Sequence, residues 1–262
     1  MRIALFVTCL TDTFYPQAGV SLVRVLRRLG CEVVFPEEQT CCAQPMINTG
    51  YADLAREPLK RLIEIFEPFE AVVSPSGSCV GVIREHAARL LEGEAGWSER
   101  AAGLAVKTFE FVEFLTERLK VDFASLGLRL ACRATYHYPC HLRGLHIGPS
   151  AIEPVLGAIS GLEYRRLAVP EQCCGFGGTF AEKYSELSEK MVEQKMLDIA
   201  DSASELLICN EGGCGMNIGG YMNRMWSASC PGRAVPRMMH IAEVLDAAWP
   251  QEAEAMVKAS GG

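Results

Sequence analysis

The chain has 262 residues, of which 49% are apolar and 22% are charged, as in an ordinary folded globular protein. Its formal net charge of −7 argues against a polyanionic partner such as nucleic acid, and no apolar run is long enough to cross a membrane. Twelve cysteines without an export signal argue against a disulfide framework, because a reducing compartment keeps thiols free, and favour metal or cluster binding.

The N-terminal run RIALFVTC predicts a buried first strand. It is too short for a signal peptide, Asp12 interrupts it, and no small-residue cleavage site follows. Apolar residues then recur at helical spacing from Leu22 to Leu29 and again from Leu59 to Phe66, with strand-like runs before and after each helix. A stretch rich in Gly, Glu and Ser, residues 92–103, predicts an exposed loop, and FVEFL predicts a closing helix.

The second half repeats this order. ATYHYPC, LEYRRLAVP and SELLIC are strand-like, Val192, Met196 and Ile199 share one helix face, and IAEVL predicts the closing helix. Apolar strands that alternate with amphipathic helices indicate parallel sheets covered on both faces. The sequence therefore predicts an α/β fold of two tandem, similar Rossmann-like units, residues 1–130 and 131–262, related by internal duplication.

Eight cysteines occupy matching places in the two halves: Cys9, Cys41, Cys42 and Cys79, then Cys140, Cys173, Cys174 and Cys214. Cys140 follows Cys9 by 131 residues, the second doublet follows the first by 132, and Cys214 follows Cys79 by 135. Each single cysteine follows a predicted strand, and ligands in open α/β sheets gather beyond the carboxyl ends of strands. Each set of four sulfurs is therefore predicted to converge on one soft metal or cluster.

An iron–sulfur cluster suits this pattern better than zinc, because neither half has the CxxC pair typical of structural zinc sites. Zinc and a thiol–disulfide centre stay open as alternatives. The cysteines without a repeated cysteine partner are predicted to be core residues: Cys31, Cys132, Cys209 and Cys230. His137 and His141 flank Cys140, and each is interpreted as structural, with ligation or hydrogen bonding to a cluster as the alternative.

Several longer motifs, in chain order, resemble the lactate utilization protein A family: FVTCLTDTFYPQAG, PEEQTCCAQP, SPSGSC, CCGFGGTF, CGMNIGG and MMHIAEVL. Members of this family are iron–sulfur proteins built from two cysteine-rich CCG domains. Similar domains occur in glycolate oxidase, in its iron–sulfur subunit, and in heterodisulfide reductase. The resemblance covers nearly the whole chain.

The resemblance implies a cytoplasmic electron-transfer component of a system that oxidises L-lactate to pyruvate. Its partners would be the other subunits of that system, including a second iron–sulfur protein, and its electrons would pass to them or to the respiratory chain. The chain would be a non-catalytic or co-catalytic subunit of this oxidoreductase complex. The rival interpretations are a zinc-binding scaffold and an iron–sulfur subunit of a glycolate oxidase or heterodisulfide reductase-like complex.

The resemblance also implies that the eight repeated cysteines hold up to two clusters of the 4Fe–4S type, with zinc possible in one half. The fuller CCG motif ends in CxxC, whereas Ser76 and Glu211 stand where the first cysteine of that pair would be. Four ligands per centre, rather than five, are therefore expected.

Overall fold

The computed structural model describes residues 1–250 and contains two four-stranded parallel sheets of the same topology. The strand orders are β2–β1–β3–β4 and β6–β5–β7–β8, so the first strand of each half lies next to the third. Helices cover both faces of each sheet. The predicted α/β fold with two tandem Rossmann-like units is confirmed.

The first half contains four strands, eight α-helices and four short segments of 3-10 or π-helix. Its strands are β1 (Arg2–Leu5), β2 (Glu32–Val34), β3 (Ala71–Ser74) and β4 (Thr108–Glu110). Its α-helices are α1 (Cys9–Phe14), α2 (Pro16–Arg28), α3 (Gln44–Asn48), α4 (Arg56–Phe66), α5 (Gly77–Gly81), α6 (Ala87–Leu90), α7 (Trp97–Ala105) and α8 (Phe111–Glu113). The 3-10 segments are Ala52–Ala55 and Phe123–Leu126, and the π-helical segments are Val82–His86 and Phe114–Arg118.

The second half repeats the order of strands, with fewer helices among its residues up to 250. Its strands are β5 (Arg129–His137), β6 (Ser160–Tyr164), β7 (Leu206–Cys209) and β8 (Arg237–His240). Its helices are α9 (Cys140–Gly144), α10 (Pro149–Gly157), α11 (Thr179–Lys183), α12 (Ser185–Asp201), α13 (Gly212–Ser229) and α14 (Ile241–Ala248).

The two sheets share one central hydrophobic core, and each also has an outer core of its own. Side chains alternate along a strand, so Ile3 and Leu5 face the shared core whereas Ala4 and Phe6 face the outer core of the first half. Apolar residues of α2, α8, α10 and α14 fill the shared core, including the predicted closing helices of both halves. The halves are therefore joined by buried apolar surface, the main favourable term in folding.

Hydrogen bonds reinforce this junction at the start of each closing helix. Glu110, the N-cap of α8, accepts a hydrogen bond from Asn210 Nδ2 at 3.0 Å. His240, the N-cap of α14, lies with Nε2 3.0 Å from the carbonyl oxygen of Pro75. Each N-cap thus bonds to the loop after the third strand of the other half. Burial raises the pKa of Glu110 to about 8 and lowers the pKa of His240 to about 4.

The prediction of an exposed loop over residues 92–103 is wrong for its second part, which belongs to helix α7. Ala101 and Leu104 are buried in the outer core of the first half, and this packing outweighs the weak helical pattern of the sequence. The division of the chain at residue 130 stays a prediction, and the last twelve residues of the predicted second unit, 251–262, lie outside the described residues.

Candidate metal centres

In the first half, three chain segments bring four cysteines to the carboxyl edge of the sheet. Cys9 is the first residue of α1, directly after β1, and Cys79 lies in the first turn of α5, after β3. The Cys41–Cys42 doublet lies in the loop between β2 and α3. Because β2 and β3 lie on opposite sides of β1, the connections diverge here and leave a crevice, the place where open α/β sheets bind ligands.

The four cysteines of each half form a quartet that contains one close pair of sulfurs. The Sγ atoms of Cys42 and Cys79 are 3.2 Å apart in the first quartet, and those of Cys174 and Cys214 are 3.1 Å apart in the second. The other four cysteines line the same cleft as these pairs: Cys9, Cys41, Cys140 and Cys173. The structure therefore brings all eight cysteines that the sequence singled out to one cleft.

The residue after each doublet holds the loop in a left-handed turn. Ala43 has φ +68° and Gly175 has φ +82°, and each backbone N–H lies 3.4 Å from the Sγ of the first doublet cysteine, Cys41 or Cys173. An N–H group directed at a sulfur stabilises negative charge on it. The two halves therefore share this backbone geometry despite different residues.

Neighbouring thiols in each quartet do not ionise independently. Hydrogen bonds from Cys42 and Cys9 lower the pKa of Cys41 to about 2, and hydrogen bonds from Cys140 and Cys174 lower that of Cys173 to about 2. The pKa of Cys9 is raised, chiefly by its hydrogen bond to Cys41 and by burial. The first cysteine of each doublet thus ionises more readily than its neighbours, and metal binding requires the thiolate form.

Both quartets line one cleft of about 220 Å³ between the halves. Gln44 and His141 meet across it, with Gln44 Nε2 3.2 Å from His141 Nε2. Among the described residues that line the cleft there is no lysine or arginine, and Glu211 adds a carboxylate. The cleft therefore suits cations and metal clusters better than a free organic acid.

Glu211 forms the central polar contact between the two halves. It is the N-cap of α13, three residues before Cys214, and Ser76 holds the matching N-cap position before Cys79. The Ser76 hydroxyl donates to both carboxylate oxygens, at 2.9 and 3.1 Å, and the Ser78 N–H donates to one of them at 2.9 Å. The residues that replace the expected cysteines thus bond to one another, a contact that the sequence pattern did not predict.

Two polar residues distinguish the surroundings of the second quartet. His137, at the end of β5, is fully buried, and its nitrogen donor atom lies within 4.8 Å of the Cys174 and Cys214 sulfurs. Lys195 of α12 is also fully buried, and its Nζ donates to the Val169 carbonyl at 2.8 Å. Burial, reinforced by the positive charge of Lys195, lowers the pKa of His137 to about 3, so its imidazole is neutral at neutral pH.

The remaining cysteines do not line the cleft. Cys31, Cys209 and Cys230 are buried and Cys132 is half-buried, as expected of core residues. Cys209 nevertheless donates to the carbonyl oxygen of Glu211 at 3.4 Å, three residues before Cys214. It supports the second quartet from the strand below.

Two parallel α/β units that each gather four cysteines beyond the strand ends define a duplicated cysteine-rich protein of the metal- or iron–sulfur-binding type. The CCG family model, described as a cysteine-rich domain, matches residues 3–84 and 134–219. Among curated proteins, lactate utilization protein A of a Geobacillus strain is 43% identical over 94% of this chain and 99% of its own length. The chain belongs to the lactate utilization protein A family.

Other relatives match a similar share of the chain. Lactate utilization protein A of Halalkalibacterium halodurans is 44% identical over 94% of this chain and 97% of its own length. That of Bacillus velezensis is 45% identical over 94% and 99%. Among solved structures, an allantoin racemase from Pseudomonas fluorescens aligns with 99% of this chain and 92% of its own at a TM-score of 0.30 and 17% identity, a likeness that carries no argument.

Across residues 1–250, no helix combines the length and apolar character needed to span a membrane.

Proposed function

We propose that this protein is the iron–sulfur electron-transfer subunit of an L-lactate-oxidising system, with one 4Fe–4S cluster held by each cysteine quartet. The observation that carries the proposal is the geometric one: two sets of four cysteines, each with one close pair of sulfurs, line a common cleft at the same place in a repeated fold. The names of the relatives, lactate utilization protein A, support the assignment to lactate metabolism.

The residues around each quartet fit a cluster. Thiolates are the donors that iron–sulfur clusters use, and the N–H groups of Ala43 and Gly175 lie 3.4 Å from a doublet sulfur in each half. The cleft of about 220 Å³ offers more room than a single ion needs. A bound cluster would supply one-electron redox chemistry at each quartet. The chain itself would supply four thiolates per centre and keep the cluster partly shielded from water.

The charges in the cleft favour a role in electron transfer for this chain over direct binding of lactate. Oxidation of a 2-hydroxy acid to a 2-oxo acid releases two electrons and two protons. A binding site for such an acid would normally place a cation against its carboxylate. The lining residues of this cleft include none, and the Glu211 carboxylate would repel an organic anion. We therefore assign lactate oxidation to a partner subunit, which would deliver one electron to each cluster.

A zinc site in the second half is the other candidate, and one observation favours it. His137, Cys174 and Cys214 present their donor atoms within 4.8 Å of one another, and zinc takes mixed imidazole and thiolate ligands readily. A chain with zinc there would carry a cluster in the first half alone, or would be a scaffold that carries no electrons.

Metal analysis tests these functions directly. Anaerobically purified and reconstituted protein is expected to be brown, to contain iron and sulfide for two clusters, and to give an electron paramagnetic resonance signal on reduction. Cys41→Ser and Cys173→Ser should each remove one of the two centres and leave the other. Protein without iron or sulfide after reconstitution would refute the proposal, and a colourless protein with bound zinc would establish the scaffold.

The assignment to lactate has a separate test. Deletion of the gene should abolish growth on L-lactate and leave growth on pyruvate unchanged, because pyruvate lies beyond the oxidation step. Growth on glycolate serves as the matched control. A deletion strain that grows on lactate but not on glycolate would show that the subunit serves a different 2-hydroxy acid.

A further inference from the structure

His137 is a fully buried side chain whose two ring nitrogens have no hydrogen-bond partner among the described residues. A neutral imidazole carries one donor and one acceptor, and an unsatisfied buried polar group costs about 1–3 kcal/mol. Native proteins rarely leave such groups unpaired without a bound ligand, ion or water nearby. The unpaired nitrogens therefore indicate that His137 bonds to a ligand that the protein binds.

The side chains around the ring indicate that this ligand is a metal. One imidazole nitrogen and the sulfurs of Cys174 and Cys214 lie within 4.8 Å of one another. Bond lengths of about 2.0 Å to nitrogen and 2.3 Å to sulfur place the ligands of a single metal ion within roughly 4 Å of each other. A small adjustment of these side chains would thus let one metal atom bind all three.

The first half shows that the fold itself does not require a histidine at this place. Phe6 and His137 each stand three residues before the first cysteine of their quartet, near the carboxyl end of the first strand of their sheet. Phe6 is buried in the outer core together with Cys42 and Cys79. An apolar ring fills the position in one half, so the imidazole of the other half is explained by its chemistry rather than by packing.

We propose that His137 is a nitrogen ligand of the metal centre in the second half, so that this centre has a mixed nitrogen–sulfur donor set while the first has sulfur alone. The proposal rests on the proposed function, since it requires a metal or cluster at the second quartet. With His137 in the place of one of the four thiolates, the second centre would have the higher reduction potential, because histidine in place of thiolate raises the reduction potential of iron–sulfur centres. It would then be the stronger electron acceptor, and electrons entering at the first quartet would pass to it.

Pulsed electron paramagnetic resonance of the reduced protein, labelled with ¹⁵N-histidine, tests the ligation. The double variant Cys41→Ser/Cys42→Ser leaves only the second centre, and its spectrum should contain a strong nitrogen coupling that changes with the label. His137→Phe, which introduces the residue of the first half, should lose this coupling, whereas His141→Gln in the same cleft should retain it. The reciprocal variant Cys173→Ser/Cys174→Ser should show no histidine coupling.

The nitrogen coupling is measured in labelled protein that retains His137. The test can therefore be carried out even if the His137→Phe variant fails to fold. His137→Cys offers a second substitution, and it should keep the metal, lose the coupling and lower the reduction potential of the second centre. If that centre holds zinc, the test uses protein in which cobalt replaces the zinc. Loss of the nitrogen ligand in the His137 variants should then shift the ligand-field absorption of the cobalt. A filled second centre without histidine coupling, or a coupling lost only in His141→Gln, would overturn this inference and leave the proposed function intact. Absence of metal from both quartets would instead refute the proposed function.

Discussion

Gly175 is the position where a single added methyl group should damage one centre and spare the other. Its φ of +82° belongs to the left-handed region, which residues with a side chain rarely adopt. A Cβ atom there would lie 2.7 Å from the Ser188 carbonyl oxygen and 3.0 Å from the Met191 Cβ. Ser188 also donates its hydroxyl to the Gly175 carbonyl at 2.8 Å, so the doublet loop lies directly against α12.

Two costs add when Gly175 becomes alanine. The left-handed conformation costs an L-residue about 1–2 kcal/mol, and overpacking a well-filled site costs about 1–3 kcal/mol. We therefore expect Gly175→Ala to lower the free energy of unfolding by about 2–5 kcal/mol, a large part of the stability of a typical domain. Relief of the clash would push the doublet loop away from α12 and pull Cys173 and Cys174 out of register with Cys214.

Urea denaturation of the metal-free protein measures the loss of stability, and iron and sulfide content after reconstitution measures the loss of the second centre. Ala43→Gly is the matched control, since Ala43 holds the corresponding left-handed position at φ +68° with the same N–H to sulfur distance of 3.4 Å. Loss of a buried methyl and relief of backbone strain oppose one another there, so its stability should change by less than about 1 kcal/mol. A Gly175→Ala protein with wild-type stability and full metal content would refute this reasoning.

Three further predictions concern buried charges. Burial raises the pKa of Glu110 to about 8, so between pH 4.5 and 8 the folded state holds a proton that the unfolded state has lost, and stability falls as pH rises at up to about 1.4 kcal/mol per unit. Glu110→Gln should flatten this decline, measured by urea denaturation at pH 6.5 and pH 8, and an unchanged slope would contradict it. Lys195→Met removes a buried cation beside the second quartet and should lower the reduction potential of that centre only, as followed by a redox titration; equal shifts at both centres would count against it. Glu211→Ala leaves the Ser76 hydroxyl and the Ser78 N–H without their acceptor and should cost about 2–3 kcal/mol of stability in urea, whereas a change below about 0.5 kcal/mol would show that the contact is replaceable.

Local periodicity was enough to predict the parts of the fold in which one face is buried. The apolar spacing from Leu59 to Phe66 predicts α4, and the strand-like runs predict the strands whose ends carry the cysteines. The helix Trp97–Ala105 was missed because its burial depends on a few small contacts rather than on a strong stripe. Contacts between distant segments, such as α14 on α2 with Asp246 bound to Arg28 at 2.6 Å, leave no periodic signal in the sequence.

The duplication conserves the sulfur donors and varies what surrounds them, and this contrast bears on the direction of electron flow. Phe6 of the first half corresponds to His137, and Phe6 and Leu62 pack in an apolar core with Cys42 and Cys79. The second quartet instead has the buried imidazole of His137 and the buried ammonium group of Lys195 beside it. Reduction adds negative charge to a centre, and a nearby cation or a neutral ligand in place of a thiolate stabilises that added charge. Both differences act in the same direction. Under the proposed function, the different surroundings of the two quartets would therefore give the second centre the higher reduction potential. Electrons would then pass from the first centre to the second, although both quartets consist of the same four cysteines.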